Sequence, residues 1–151
     1  MNAIGIYRVA NFCYRKKIPV VPFMCKAAIF LLFNSVVPYS TKIGKGSRFA
    51  YGCIGVVLHG RAVIGERVII GQGVTVGRKL SPNGVPVIGN DVYIAAGARI
   101  LGGITIGDNV IIGANSVVVT DVPANTIVAG APARVVRTID QSIYELLENI
   151  Y

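Results

Sequence analysis

The sequence predicts a mainly β protein, a parallel β-helix of six-residue repeats, and three observations predict it. From Leu58 onward an aliphatic residue stands at every sixth position: Leu58, Ile64, Ile70, Val76, Ile88, Ile94, Ile100, Ile106, Ile112 and Val118, with Pro82 the one break in eleven slots. Most of these residues are followed by Gly or Ala, and four positions later by a second small or branched residue such as Val68, Val92 or Ala98. Third, 53% of the 151 residues are hydrophobic and 15% charged, a balance that excludes a disordered chain. Period six fits neither a helix nor a flat sheet. It fits a chain that turns a corner every six residues, three sides to a coil, with one aliphatic residue per side pointing inward and stacking on the next coil. The small residues let the backbone take the corners.

The elements follow in order. Residues 1–40 form a basic helical segment, in which Asn2 to Lys17 and Phe23 to Ser35 read as short helices divided by Pro19 and Pro22. The β-helix is expected over residues 41–137. Its opening hexads, from Ile43 and Phe49, run out of phase with the later frame, so three inserted residues must bulge from the prism between Ala50 and Val57. Residues 78–86, RKLSPNGVP, lose the aliphatic signal while the frame survives from Val76 to Ile88, which predicts a loop projecting from a corner. Residues 138–151 are expected to form a last amphipathic helix, from Ser142, with Thr138 or Asp140 as its cap. The open ends of a β-helix need cover, and that is the role expected of both terminal segments.

Charge is unevenly placed. The first 48 residues hold eight cations and no acid, while the other 103 hold seven of each, so the whole +8 arises at the N-terminus. Such a patch suits anionic lipid or a phosphorylated ligand. Nucleic acid is not expected as a partner, because no RNA- or DNA-binding motif or basic recognition helix accompanies the charge. Membrane docking through residues 1–37 is the rival to the end-cover reading, since FMCKAAIFLLF lies beside five cations. No secretory signal is recognisable, and the longest uninterrupted apolar run there, Ala27 to Phe33, is far short of the roughly 18 residues a membrane span needs. Cys13, Cys25 and Cys53 are odd in number and widely spaced, which fits free thiols better than a zinc site or a disulfide framework. A cytoplasmic location, free or peripheral at the inner face of the membrane, is the expectation.

The motifs AVIGERVIIGQGVTVG, VIGNDVYIAAGARILGGITIGDNVIIGANSVVVTDVP and the closing AGAPARVV resemble the hexapeptide-repeat acyltransferases, in particular their serine acetyltransferase-like branch. The resemblance covers roughly residues 41 to 137. It implies a left-handed β-helix, a homotrimer, and acetyl-CoA as donor in the groove between neighbouring prisms. Ala96 and Ala114 match the positions whose backbone meets the pantetheine arm, and Arg134 and Arg137 those near the CoA phosphates. No metal is implied: one histidine excludes the zinc-dependent carbonic anhydrases that share the repeat, which use three. The branch's Asp-His-Ala-Thr-Gly run aligns with Tyr51, Gly52, Cys53 and Ile54, and the histidine of its later His-Pro aligns with Val85, so neither histidine nor the aspartate has a counterpart here. The shortened prism also resembles O-acetyltransferases of surface polysaccharide assembly. A saccharide hydroxyl is therefore the expected acceptor, with L-serine, or a non-catalytic trimeric scaffold, as the alternatives.

Acetyl transfer to an alcohol needs a base for the hydroxyl and hydrogen-bond donors for the thioester oxygen. His59, the only histidine, occupies the slot where the repeat usually has Gly or Ala, directly after the bulge. It is the candidate base for direct attack in a ternary complex; HGRAVIG also fits a histidine that merely packs or caps a corner, and then Tyr51 is the next candidate or the site has no strong base. The acceptor is expected where the bulge meets the projecting loop, with Tyr51, Arg78 and Lys79 as its contacts.

Overall fold

The computed structural model describes residues 1–81 and 83–148, and Pro82 of the projecting loop lies outside them. Two helices come first, α1 (Ala3–Arg15) and α2 (Val21–Phe33). Each is displaced by up to two residues from its expected bounds. Asn2 caps α1 through its side chain, and Pro22 sits in the first turn of α2, where a missing N–H costs nothing.

The prism then rises coil by coil. The first coil holds β1 (Lys42–Ile43) and β2 (Arg48–Phe49). The second holds β3 (Val57–Leu58), β4 (Val63–Ile64) and β5 (Ile69–Ile70), and the third β6 (Thr75–Gly77), β7 (Val87–Ile88) and β8 (Val92–Ile94). Above them come β9 (Arg99–Leu101), β10 (Thr105–Ile106) and β11 (Val110–Ile112), then β12 (Val117–Val118) and β13 (Thr126–Gly130). Last, β14 (Ala133–Thr138) turns back antiparallel against β13, and a short helix, α3 (Ile143–Leu147), follows.

Three parallel faces result. Face 1 is β3, β6, β9 and β12; face 2 is β1, β4, β7 and β10; face 3 is β2, β5, β8, β11 and β13, with β14 on its end. The aliphatic clock is the core itself. Ile64, Ile88 and Ile106 stack in register on face 2, and Ile70, Ile94 and Ile112 on face 3, every one of them buried. Deleting one such side chain to Ala typically costs about 2–5 kcal/mol. Corners are as tight as the glycines suggest: a Cβ on Gly65 would lie 2.3 Å from the Gly89 carbonyl oxygen of the next coil.

In this ladder some N–H groups donate to carbonyls of the coil after, as Lys42 N–H does to Ala62 and Gly44 N–H to Ile64, and others to the coil before, as Arg67 N–H does to Lys45. The first-coil carbonyls equivalent to those of Ala62 and Ile64 therefore have no coil beneath them to pair with. Helix α1 takes that place. Tyr7 Oη donates to Thr41 O, Arg8 to Ile43 O and Gly44 O, Asn2 Nδ2 to Phe49 O and Asn11 Nδ2 to Tyr39 O. The N-terminal segment thus covers an open end as expected.

The C-terminal segment does not. Ile139, Ile143 and Leu147 pack on Tyr93, Ile111 and Ile127, which point outward from face 3, so α3 lies on a side of the prism. Its cap is Ser142, whose hydroxyl accepts from Tyr144 N–H, in place of the expected Thr138 or Asp140. The rest of the expected helix, residues 149–151, lies outside the described residues. Asn109 ties the segment to the corner between faces 2 and 3, accepting from Ile143 N–H and donating to Gln141 O, and Tyr144 Oη donates to Arg67 O on the same corner. There Arg67 grips Asp91 through two bonds, Nε to Oδ1 at 2.6 Å and Nη2 to Oδ2 at 2.8 Å.

Two predictions follow from these contacts. Tyr7→Phe strands the Thr41 carbonyl in a buried setting and should lower unfolding free energy by about 1–3 kcal/mol in urea titration. Asp91 is held below the usual carboxylate range, chiefly by its hydrogen bonds from Arg67. A depressed carboxylate stabilises the fold above its unfolded value and loses that contribution as pH falls through the folded one. The stability gap between wild type and Asp91→Asn should hold steady above about pH 5 and shrink below about pH 4.

Candidate active site

The two irregularities of the repeat sit at opposite corners of face 1. Between Phe49 on face 3 and Leu58 on face 1 there are nine residues where six would suffice, and the excess forms a single 3-10 turn, Ala50–Gly52, ending in left-handed Cys53. Between Val76 on face 1 and Ile88 on face 2 there are twelve, so one whole hexad is extruded as the loop 78–86. The bulge leaves the corner between faces 3 and 1, and the loop leaves the corner between faces 1 and 2. Within one protomer the two do not meet, which corrects the acceptor site expected at their junction. Tyr51 belongs to one edge, Arg78 and Lys79 to another.

His59 stands at the corner between faces 1 and 2, on the same edge as the loop. Its backbone is firmly held: His59 N–H donates to Val76 O at 2.9 Å, and its carbonyl accepts from Thr41 Oγ1 at 3.1 Å and Ala62 N–H at 3.0 Å. The ring is half-buried, and Nδ1 accepts from Arg61 N–H at 3.1 Å. A neutral imidazole with Nδ1 as acceptor carries its proton on Nε2. To accept a proton at Nε2 it must shift tautomer, releasing the Arg61 N–H. That bond is exposed and water can replace it, so the shift costs only about 1 kcal/mol. The corner-capping and base roles are therefore compatible in one side chain.

Arg78 is exposed, and Lys79 lies half-buried with its aliphatic stem over Gly102 of the next coil: a Cβ at Gly102 would fall 2.9 Å from Lys79 Cδ. Together with Leu80 and Asn83 they line a concavity of about 410 Å3. Tyr51 is 69% exposed at φ +50°, so it is no packed aromatic. Cys53 beside it is buried, and burial, relieved in part by the hydrogen bond with Ser35, pushes its thiol up to about 12. It stays protonated and serves as no nucleophile.

Ala96 and Ala114 stack on successive coils at the corner between faces 3 and 1, where Asn115 N–H donates to Ala96 O at 2.9 Å. Among the described residues neither Ala96 N–H nor Ala114 N–H makes a backbone hydrogen bond, and Ala96 is half-buried and Ala114 exposed. The two alanines thus mark one edge of the prism. Arg134 joins it, since its partner Ala129 lies beside Gly113, whereas Arg137, opposite Ile127, is set back on face 3. Arg99 completes the edge, its guanidinium on the Gly73 carbonyl. The sequence did not single out Arg99, although a signal was there: it directly follows the repeat's small residue Ala98, and in the structure it pairs with Thr75 on face 1. Among the described residues no group of three or more His, Cys, Asp or Glu could hold a metal ion.

Residues 86–120 match the family model described as bacterial transferase hexapeptide (six repeats). The serine acetyltransferase of Helicobacter pylori (strain J99) is 34% identical over 139 residues, taking in 90% of this chain and 80% of that protein. The chain belongs to the hexapeptide-repeat acyltransferases, in their serine acetyltransferase-like branch. The serine acetyltransferase of Synechococcus elongatus is 39% identical over 137 residues, 89% of this chain and 56% of its own length. The crystal structure of the Brucella abortus strain S19 serine acetyltransferase in complex with coenzyme A gives a TM-score of 0.85 at 32% identity, over 93% of this chain and 56% of that one. The chain thus spans a little over half the length of these two relatives. The family's coil is left-handed, and so is this prism.

Proposed function

We propose that the chain is an acetyl-CoA-dependent O-acetyltransferase that acts as a homotrimer, with donor and acceptor meeting between neighbouring prisms. One observation carries this: the candidate groups are divided between two edges. His59, Arg78 and Lys79 share one corner column, while Ala96, Ala114 and Arg134 share another. Apposing the first edge of one prism to the second edge of the next would assemble a site that no single chain contains.

In that site the Ala96 and Ala114 N–H groups hold the pantetheine arm, and Arg134, with Arg137 farther back, faces the CoA phosphates. Bound acetyl-CoA supplies the thioester carbonyl. His59 accepts the acceptor's hydroxyl proton as its oxygen bonds to the acetyl carbon and the carbon–sulfur bond breaks, and returns that proton to the departing sulfur. With Cys53 protonated and buried, transfer is direct.

For the acceptor, L-serine comes first, because the curated relatives and solved neighbours that resemble this chain are serine acetyltransferases. They favour it over the saccharide that the sequence alone suggests. A saccharide hydroxyl remains as second reading on one specific observation: residues 50–54 offer no imidazole or carboxylate, only the exposed ring of Tyr51, a flat face suited to a sugar.

Thiol release from acetyl-CoA by the purified chain, with L-serine and with a sugar panel, is the test. Turnover with serine supports the first reading, turnover with sugars alone the second, and no release with any acceptor overturns the enzyme reading in favour of a scaffold. His59→Asn keeps an oxygen that can accept from Arg61 N–H but offers no base. It should melt like wild type and lose about 10²–10⁴ in kcat, and a loss under tenfold sinks His59 as the base.

A further inference from the structure

We propose that the N-terminal helical hairpin docks the protein on an anionic membrane surface, with the outer face of α2 inserted and the flanking cations on the lipid headgroups. Helix α2 has two apolar faces. Pro22, Ile29 and Phe33 form the buried one. Opposite them Phe23, Met24, Phe30 and Leu31 are exposed at 69%, 62%, 54% and 79%, with Val20, just ahead of the helix, at 65%. The spacing of Val20, Met24 and Leu31, and of Phe23 and Phe30, puts these side chains on one continuous stripe. The end-cover role of the hairpin does not use this stripe, because the contacts to the first coil come from α1 and from the buried face of α2.

Cations border the stripe beside Phe23. Lys17 lines one hollow with Val20 and Phe23, and Lys26 lines another with Phe23, Ala27 and Phe30. Arg15, Lys16, Lys17 and Lys26 are exposed, and both ion pairs among the described residues belong to Arg67 instead. No acid lies within the first 48 residues to neutralise them. At thirteen residues α2 is about 20 Å long, too short for a hydrocarbon core of about 30 Å. A short helix with an apolar face and lysines at its margins belongs in the plane of the interface. A second copy is the poorer occupant, because a two-fold pairing of this face would set one cationic hairpin against another.

Flotation of the full chain with vesicles tests this directly. It should rise with phosphatidylcholine vesicles containing about a third phosphatidylserine at about 0.1 M salt and stay behind at about 0.5 M, where screening is short-ranged. With pure phosphatidylcholine it should stay behind. Lys16→Gln/Lys17→Gln should weaken vesicle binding by about fivefold per cation removed. Phe23→Ser/Leu31→Ser changes only exposed side chains, so it should melt like wild type, retain thiol release and lose flotation. Failure of the wild type to float with anionic vesicles at low salt overturns the proposal, as does flotation of the serine variant at the wild-type level. A fall in particle mass for that variant by light scattering would assign the stripe to a second copy and overturn it as well.

Discussion

The handover of backbone hydrogen bonds at the first coil is the constraint on which the rest depends. Every coil of a parallel β-helix is both acceptor and donor for its neighbours, so the stack is self-consistent everywhere except at its ends. At the N-terminal end Asn2, Tyr7, Arg8 and Asn11 stand in for a missing strand layer, addressing carbonyls equivalent to those that later coils present to the coil before them. The β-helix begins where it does because a helix of matching reach lies across it. That Arg8 spends its charge on two carbonyls also explains why a cation can stand against the apolar prism.

Above that base, stability and chemistry are separated by geometry. The interior is a column of Ile, Val and Leu, and its few buried hydroxyls are turned onto backbone, as Ser35 is onto the Cys53 carbonyl and Ser47 onto the Gly65 carbonyl. Of the three corner columns, the one between faces 2 and 3 is consumed by structure: an Asn and Asp ladder runs up it, and the C-terminal segment is fastened there through Asn109 and Arg67. The other two columns retain accessible backbone and the inserted segments. The candidate functional groups, Arg137 on face 3 apart, lie on those two columns, and the third is occupied.

Most of the fold was legible because a period-six aliphatic signal has only one economical three-dimensional solution, and both insertions were legible as departures from it. What the sequence reading missed was the placement of those insertions, although the signal was present. Leu58 and Val76 are three hexads apart and so share a face. An insertion before the first and one after the second must then leave from opposite corners. His59 was legible as the odd residue in a small-residue slot, but its bond from Arg61 N–H was not, since that depends on the local path of the corner. The end-covering contacts were equally hidden: helix propensity says that residues 3–15 coil, while the reach of Asn2 and Arg8 to particular carbonyls depends on where the coiled segment is set down. The C-terminal segment misled for the same reason, because its apolar residues fit an open end as well as the outward-facing Tyr93, Ile111 and Ile127 of a side.

The extruded hexad has a consequence for how such a protein can change. Because residues 78–86 leave and rejoin the prism with Val76 and Ile88 on consecutive sides, the loop is a detour, and its length does not enter the registration of any coil above it. Lineages can therefore rewrite the wall beside His59, lengthening or recharging it, without renegotiating the aliphatic column, and selection on what the wall touches becomes nearly independent of selection on folding. The cost of innovation at that edge is set by loop closure entropy, which rises only slowly with length. Specificity in this architecture is thus a peripheral trait carried by a conservative frame.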